Sequence, residues 1–204
     1  MEKEKIKPGT YLYPMPCVVV GTKNNEGKPN FLTIAYSGIA ESKPPTLMIS
    51  SAKSHYSNKA LNENMEFSAN IPSETDVKKV DYVGLKSGKK FDKSDVFDIF
   101  YGDLKNSPMI KEFPLNMECK VIKKVDLEGA HEIYFGKVIN AYVKKDFLKN
   151  GKKLEFVFYF IIFIASAPSI SISILYLYPF TVIYVENLFA IPFKPSTNFS
   201  SGIS

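Results

Sequence analysis

The chain has 204 residues, which is enough for one ordinary domain with a hydrophobic core and a short appendage. Its formal net charge of +5 comes from 26 lysines against 21 acidic residues, without a single arginine. Because DNA-reading proteins often use arginine for bidentate contacts to guanine, this composition argues against a nucleic-acid partner and leaves a small anion as a suitable one.

The cysteines and histidines limit the metal and redox chemistry of the chain. Cys17 and Cys119 are too few for a zinc quartet or a disulfide framework. His55 and His131 cannot form a multi-histidine metal centre, so we expect no metal, although a site built mainly from carboxylates stays open. The opening sequence MEKEKIKPGT contains no apolar signal region, and a reduced, cytoplasmic setting is therefore expected.

Strand-like segments fill most of the chain up to residue 145. Runs rich in β-branched and aromatic residues, bounded by turn residues, are typical of strands. Six such runs follow one another, at residues 16–23, 31–38, 45–51, 65–71, 115–126 and 131–145. The turn sequence NNEGKPN separates the first two runs, and LEGA separates the last two.

Two short helices are predicted between these strands. Residues 57–63 have a helix-forming composition. Residues 75–85 place Val77, Val80 and Leu85 on or near one face, with Asp76 in the first turn. Many strands accompanied by two short helices predict a closed or nearly closed β-barrel.

The composition changes abruptly after Lys153. The stretch 156–185 holds no charged residue. A membrane-spanning helix needs about 20 apolar residues, and this stretch is longer, but two prolines interrupt it. We therefore divide the chain into a globular domain, residues 1–153, and an atypical apolar tail, residues 154–204. Three interpretations of the tail stay open: a non-native or frameshifted end, a membrane-associated segment, or strands packed in the fold.

A polar, cationic junction joins the predicted strand 45–51 to the helix that follows. It reads SSAKSHYSNKALNEN over residues 50–64. A strand end that runs into a helix N-terminus brings hydroxyls, backbone N–H groups and a favourable dipole together, as phosphate binding requires. The residues that supply this combination are Lys53, Ser54, His55, Tyr56 and Ser57. The alternative is an ordinary helix start with Ser54 or Ser57 as its N-cap.

Five pieces of sequence, in this order, resemble the flavin reductase family with the FMN-binding split-barrel fold, and its flavoredoxin-like branch in particular. They are the Pro-rich opening with its valine strand, YPMPCVVVG; the strand NFLTIA; the junction at residues 50–64; SGKKFDK; and AHEIYFGKV. The resemblance covers residues 12–145. It implies a mainly β, Greek-key split barrel of about six strands with short peripheral helices, an FMN cofactor and a homodimer.

The resemblance also implies which residues bind FMN. The isoalloxazine ring is expected beside Asn30 and Tyr36, along the backbone of Thr33, Ile34, Ala35, Tyr36 and Ser37. The phosphate end is expected at Lys53, Ser54, His55, Tyr56 and Ser57, with Ser50 also among the cofactor-binding residues. Lys93, in the loop KSGKKFDK, matches a cation close to the ring, and His131 matches a histidine at its open face. Without the resemblance, these residues would be interpreted as sheet core, a solvated turn and a structural histidine.

The function implied by the resemblance is the transfer of hydride or electrons from NADH or NADPH to flavin. His131 is then expected to place the nicotinamide and to contribute at most modestly to proton transfer. Free flavin or a redox protein would receive the electrons. Two other functions stay open: a non-catalytic FMN-binding electron carrier, and a binding protein that the tail tethers to a membrane.

Overall fold

The computed structural model describes residues 1–149 and, farther along, the segments 153–154, 159–166, 169–178 and 181–184. In chain order its strands are β1 Met15–Pro16, β2 Val18–Lys23, β3 Pro29–Ile34, β4 Ser37–Ser42, β5 Pro45–Ala52, β6 Glu66–Ile71, β7 Ile99–Phe100, β8 Met109–Ile110, β9 Leu115–Asp126, β10 His131–Val143, β11 Leu148–Lys149, β12 Lys153–Leu154, β13 Tyr159–Ser166, β14 Ser169–Tyr178 and β15 Thr181–Tyr184. The helices are α1 Ser57–Asn64 and α2 Val77–Leu85, with 3₁₀ turns at Glu74–Asp76 and Lys145–Phe147.

Seven of the strands form one antiparallel sheet in the order β3-β2-β6-β9-β10-β5-β4. Its two edge strands, β3 and β4, are consecutive in the chain and are joined by only Ala35 and Tyr36. Because such a connection spans about 11 Å at most, the two edges lie close together and the sheet rolls up on itself. The predicted β-barrel is confirmed, and Ala35 and Tyr36 lie at its seam.

Alternation along β2 and β3 builds two hydrophobic clusters on opposite faces of the sheet. Val18 and Val20 contribute to one cluster, together with residues of β5, β6, β9 and β10 and with Leu61 of α1. Val19 and Phe31 contribute to the other cluster, which also contains Val77, Val80 and Val83 of α2. Because successive strand residues point to opposite faces, the whole valine run is buried, and α2 is fixed against the outside of β2 and β3.

Three expectations about local structure are wrong. Residues 31–38, predicted as one strand, are divided by a bend at Ala35 and Tyr36, because β3 and β4 form opposite edges of the sheet. Neither Ser54 nor Ser57 caps α1, since its N-cap position is Tyr56 and no side chain caps it. Leu85, expected on or near the apolar face of α2, is 75% exposed because it ends the helix.

A buried carboxylate, that of Glu118, fastens the segment before β8 to strands β9 and β10. It accepts hydrogen bonds from the backbone N–H of Asp103 at 3.1 Å and of Leu104 at 2.8 Å. It also accepts from Asn140 Nδ2 at 2.6 Å and from the Tyr142 hydroxyl at 3.0 Å. Burial by itself raises the pKa of Glu118, but the four donors together lower it by more. The pKa therefore lies below its ordinary value.

A second sheet, with the order β1-β13-β14-β15, joins the start of the chain to segments of the tail. Met15 lies opposite Phe163, and Pro16 lies opposite Ile162. The domain boundary at Lys153 and the three interpretations of the tail stay predictions, and the other tail residues lie outside the described ones. In the part of the chain that the structure describes, no helix is long and apolar enough to cross a membrane.

Candidate functional site

A cavity of about 440 Å³, which we call the ring cavity, lies beside the seam of the barrel. Seven of the predicted cofactor-site residues line it: Thr33, Ile34, Ala35, Tyr36, Ser50, His55 and His131. The sequence did not reveal its other wall, which includes Met15 of β1 and the α2 residues Val80, Asp81, Gly84 and Leu85. Its volume lies within the range of small-molecule sites.

The bend at the seam is fixed by hydrogen bonds to neighbouring elements. The backbone N–H of Ser50 donates to the carbonyl oxygen of Tyr36 at 2.8 Å, and that of Ser37 donates to Ala35 at 2.9 Å. The Thr33 hydroxyl donates to the carbonyl oxygen of Val80 at 2.6 Å, which ties β3 to α2. These bonds hold Tyr36, which is 39% exposed, at the edge of the ring cavity.

Two histidines border the ring cavity from different elements. His131, at the start of β10, packs against Tyr36 with ring centroids 5.6 Å apart and an interplanar angle of 47°. His55 precedes α1, and its Nδ1 lies 3.0 Å from Ser51 Oγ. Because the Ser51 hydroxyl donates its one proton to Asn58 Oδ1 at 2.5 Å, it accepts from the Nδ1–H of His55. A neutral His55 is then left with Nε2 as its acceptor nitrogen.

The surroundings of His55 favour its neutral form. Burial lowers the pKa of His55, and the nearby charges of His131 and Lys93 lower it further. A bound phosphate near this ring would act in the opposite direction, because an anion stabilises the imidazolium.

A second, polar cavity of about 540 Å³ lies at the start of α1, and we call it the helix-start cavity. It is lined by four predicted residues, Lys53, Ser54, His55 and Tyr56, and by six others, Asn58, Lys59, Asn62, Lys89, Asp126 and Glu132. Of the first N–H groups of α1, which have no intrahelical acceptor, that of Asn58 donates to the carbonyl oxygen of His55 at 3.2 Å, and no side chain caps the others. Because His55 lines both cavities, the ring cavity adjoins these donors at that side chain.

Both carboxylates of the helix-start cavity are held by partners. The Asp126 carboxylate lies 2.8 Å from Lys53 Nζ, and the Glu132 carboxylate lies 2.6 Å from Lys124 Nζ. Within the described ranges, Lys59 and Lys89 form no ion pair. The cavity therefore keeps positive charge that an anion can use.

Asn30 and Ser57 face a different space. Asn30 Nδ2 donates to Ser57 Oγ at 2.7 Å, and both side chains are buried. They line a separate cavity of about 110 Å³. Neither residue lines the ring cavity or the helix-start cavity, and their contact with the cofactor stays a prediction.

The loop at residues 86–93 packs closely against the residues around α1. A Cβ atom on Gly88 would lie 2.6 Å from Asn30 Oδ1 and 2.5 Å from the Tyr56 ring. Because Asn30 is buried and held by Ser57, only glycine allows this approach. The contact brings the next residue, Lys89, to the helix-start cavity.

Lys93 of the same loop is buried against the end of α2. Its Nζ donates to the carbonyl oxygens of Val83 and Lys86, each at 3.1 Å. Burial lowers the pKa of Lys93 to about 8. The structure thus places Lys93 at the C-terminal carbonyls of the helix, and its predicted proximity to the ring stays a prediction.

Replacing Gly88 with alanine should disturb this loop. We expect FMN to bind about 3- to 10-fold more weakly because Lys89 moves, and the free energy of unfolding to fall by about 1–2 kcal/mol through overpacking. Flavin titration and urea unfolding measure the two effects. Gly129→Ala is the matched control, since a Cβ there meets nothing within 4 Å. Equal behaviour of the two variants would contradict the close packing.

The two cysteine thiols lie within the hydrophobic clusters of the fold. Cys17 and Cys119 are both buried and free, and burial raises the pKa of each thiol. Among the residues that the structure describes, no group of three or more His, Cys, Asp or Glu side chains is arranged to hold a metal ion.

Comparison with known proteins supplies the context of these cavities. The family pattern described as "Flavin reductase like domain" matches residues 10–160. A flavoredoxin from Methanosarcina acetivorans has a similar crystal structure, with 36% identity and a TM-score of 0.77, over 87% of this chain and 94% of that chain. An uncharacterized protein from Archaeoglobus fulgidus is 28% identical over 154 residues, which are 74% of this chain and 85% of that protein. An FMN-binding protein from Thermus thermophilus, with p-hydroxybenzaldehyde bound, shares the fold at 21% identity and a TM-score of 0.64, over 72% of this chain and 83% of that chain.

Proposed function

Because the chain belongs to the family of flavin reductase-like domains, we propose that it binds FMN and passes hydride or electrons from NADH or NADPH to that flavin. The observation that carries the proposal is the junction of the ring cavity and the helix-start cavity at His55. A flat heterocycle with a phosphate tail needs such a pair: a slot bordered by aromatic rings, followed by a cluster of donors and cations.

The residues present fit FMN at both ends. At the ring end, Tyr36 and His131 offer aromatic faces to a flat ring, whereas Ser37 lines neither cavity and its contact with the cofactor stays a prediction. At the other end, the uncapped start of α1 offers N–H groups to an anion. Lys53, Ser54 and Lys89 would supply charge-assisted hydrogen bonds to the phosphate.

Bound flavin would supply a hydride acceptor and an electron carrier, a chemistry that amino-acid side chains do not provide. The chain's own residues hold, orient and shield the reacting partners. The backbone of the bend can meet the polar edge of a flat ring, while the buried Val80 of α2 excludes water from one wall of the cavity. His131, half-buried beside Tyr36, can place a dihydronicotinamide at contact distance.

His131→Ala should slow reduction of the bound flavin by NADH or NADPH about 10- to 100-fold, because a misplaced donor loses the near-attack geometry. The dissociation constant of FMN should change less than about 3-fold, since the phosphate end is untouched. Anaerobic stopped-flow absorbance gives the rate, and flavin titration gives the dissociation constant. Equal loss of rate and of FMN affinity would instead identify a structural histidine.

The proposed function is tested directly by the flavin content and the reactivity of the full chain. Freshly purified protein should show the absorbance bands of oxidised flavin or acquire them when FMN is added. Anaerobic addition of NADH and of NADPH, each in a separate experiment, should then bleach those bands. Failure of folded protein to take up FMN in excess would overturn the proposal.

A second candidate function is that of an FMN-binding electron carrier, which the similarity to a flavoredoxin favours. Such a protein would bind FMN with similar affinity, but neither nicotinamide nucleotide would reduce it at a useful rate. The stopped-flow experiment separates the two functions. Free flavin or a redox protein is the proposed electron acceptor in either case.

We also propose a homodimer in a reducing, cytoplasmic setting. Ile39 on the edge strand β4 and Leu85 at the ring cavity are 79% and 75% exposed, and a second copy could cover such apolar side chains. Light scattering of the purified chain measures the oligomeric state.

A further inference from the structure

Asp81 is the single carboxylate among the described residues that line the ring cavity. It lies in α2, between the buried Val80 and the more exposed end of the helix, and is itself half-buried. No hydrogen bond or ion pair joins it to another described side chain. Burial raises the pKa of Asp81, as expected for a carboxyl group that has lost water without gaining a partner.

Other titratable groups reach the same cavity from three further elements. They are Tyr36 at the bend, His55 before α1 and His131 on β10. Lys93 of the neighbouring loop donates instead to the carbonyl oxygens of Val83 and Lys86. Asp81 therefore contributes a negative charge to a cavity that two imidazoles also line.

We propose that Asp81 stabilises the positive charge that develops on the nicotinamide ring as hydride leaves it; this inference rests on the proposed function. A neutral dihydronicotinamide breaks its C4–H bond and gives up one proton and two electrons as hydride, so it becomes a pyridinium cation. Flavin held in the ring cavity would take up the hydride and gain one negative charge, so that atoms and charge balance. A carboxylate fixed in the cavity before the reaction stabilises the developing cation without having to reorganise.

The charge of the ligand provides a test that does not depend on turnover. We would compare 1-methylnicotinamide, a pyridinium cation, with neutral nicotinamide by isothermal titration of the full-length, FMN-loaded protein. The wild type should bind the cation about 10-fold more tightly, because only the cation gains from the carboxylate. Asp81→Asn, which keeps size and helix propensity, should remove this preference and leave the affinity for nicotinamide within about 2-fold.

The rate of flavin reduction gives a second readout. Asp81→Asn should lower the rate constant with saturating NADH about 10-fold or more and leave the FMN dissociation constant unchanged. In the wild type the rate should fall as acid protonates Asp81, at a pH above the usual range of an aspartate. The asparagine variant should lack this acidic limb, while any limb caused by another group persists in both proteins.

Glu63→Gln is the matched control for the loss of one negative charge. Glu63 is exposed on α1 and lines neither cavity. It should keep the wild-type preference for the cation, the rate and the pH profile.

The outcomes distinguish this inference from the proposed function. Equal affinity of the wild type for the two ligands, or a preference that survives in Asp81→Asn, overturns the role of Asp81. If neither ligand binds measurably, an unchanged reduction rate in Asp81→Asn overturns it. Failure of the wild type to bind FMN overturns the proposed function instead, and the two ligands can then be compared on the apoprotein.

Discussion

Replacing Lys53 and Lys89 together with alanine should weaken FMN binding about 30- to 100-fold. Both side chains line the helix-start cavity, where FMN would place its phosphate. A charge-assisted hydrogen bond contributes about 1.5–3 kcal/mol, and partial exposure of Lys53 with its pairing to Asp126 reduces that contribution. About 2–3 kcal/mol for the pair corresponds to the expected loss of affinity.

Riboflavin separates the phosphate from the ring in this experiment. It lacks the phosphate, so its affinity for the double variant should stay within about 3-fold of that for the wild type. The control variant Lys120→Ala/Lys123→Ala removes two exposed lysines of β9 that line neither cavity. If FMN binds equally well to the wild type and to the Lys53 and Lys89 double variant, the phosphate binds elsewhere.

Glu118→Ala should lower the free energy of unfolding by about 2–4 kcal/mol. The substitution leaves two backbone N–H groups, one amide and one hydroxyl without the acceptor that they share. Each buried donor without a partner costs about 1–3 kcal/mol, although those near the surface regain water. Urea unfolding followed by circular dichroism measures the change.

The acid sensitivity of stability tests the same carboxylate. The folded state holds the pKa of Glu118 below the value that this group has in the unfolded chain. The ionised carboxylate therefore contributes its full stabilisation above the unfolded-state pKa, and this contribution is lost as pH falls through the folded-state pKa. Glu118→Gln should therefore lose less stability than the wild type between neutral and acidic pH. Parallel acid profiles for the two proteins would contradict this explanation.

The strands and their order along the chain could be predicted because alternation and turn residues are local signals. The strand at Leu115–Asp126 has the predicted bounds, and α1 begins where the composition indicates. The bend at Ala35 and Tyr36 could not be predicted, since neither glycine nor proline marks it. It is imposed by closure of the barrel, which depends on pairing across the whole sheet.

Some of the residues that line the ring cavity were predicted through the family resemblance. The ring cavity brings together His55 and His131, which are far apart in the sequence, and the resemblance named both. Composition cannot decide which lysine of the loop at residues 86–93 approaches the helix start, because this depends on how Gly88 packs. Asp81 gave no signal in the sequence, since an acidic residue on a helix is usually solvated.

The pairing of β1 with β13 bears on how far the chain can be shortened. Met15 lines the ring cavity and lies opposite Phe163 in the second sheet. Cutting the chain after Lys153 would remove the backbone partner of this short strand and release one border of the cavity. A shortened protein can therefore fold its barrel and still bind flavin with an altered affinity. Flavin affinity should accordingly be measured on the full chain.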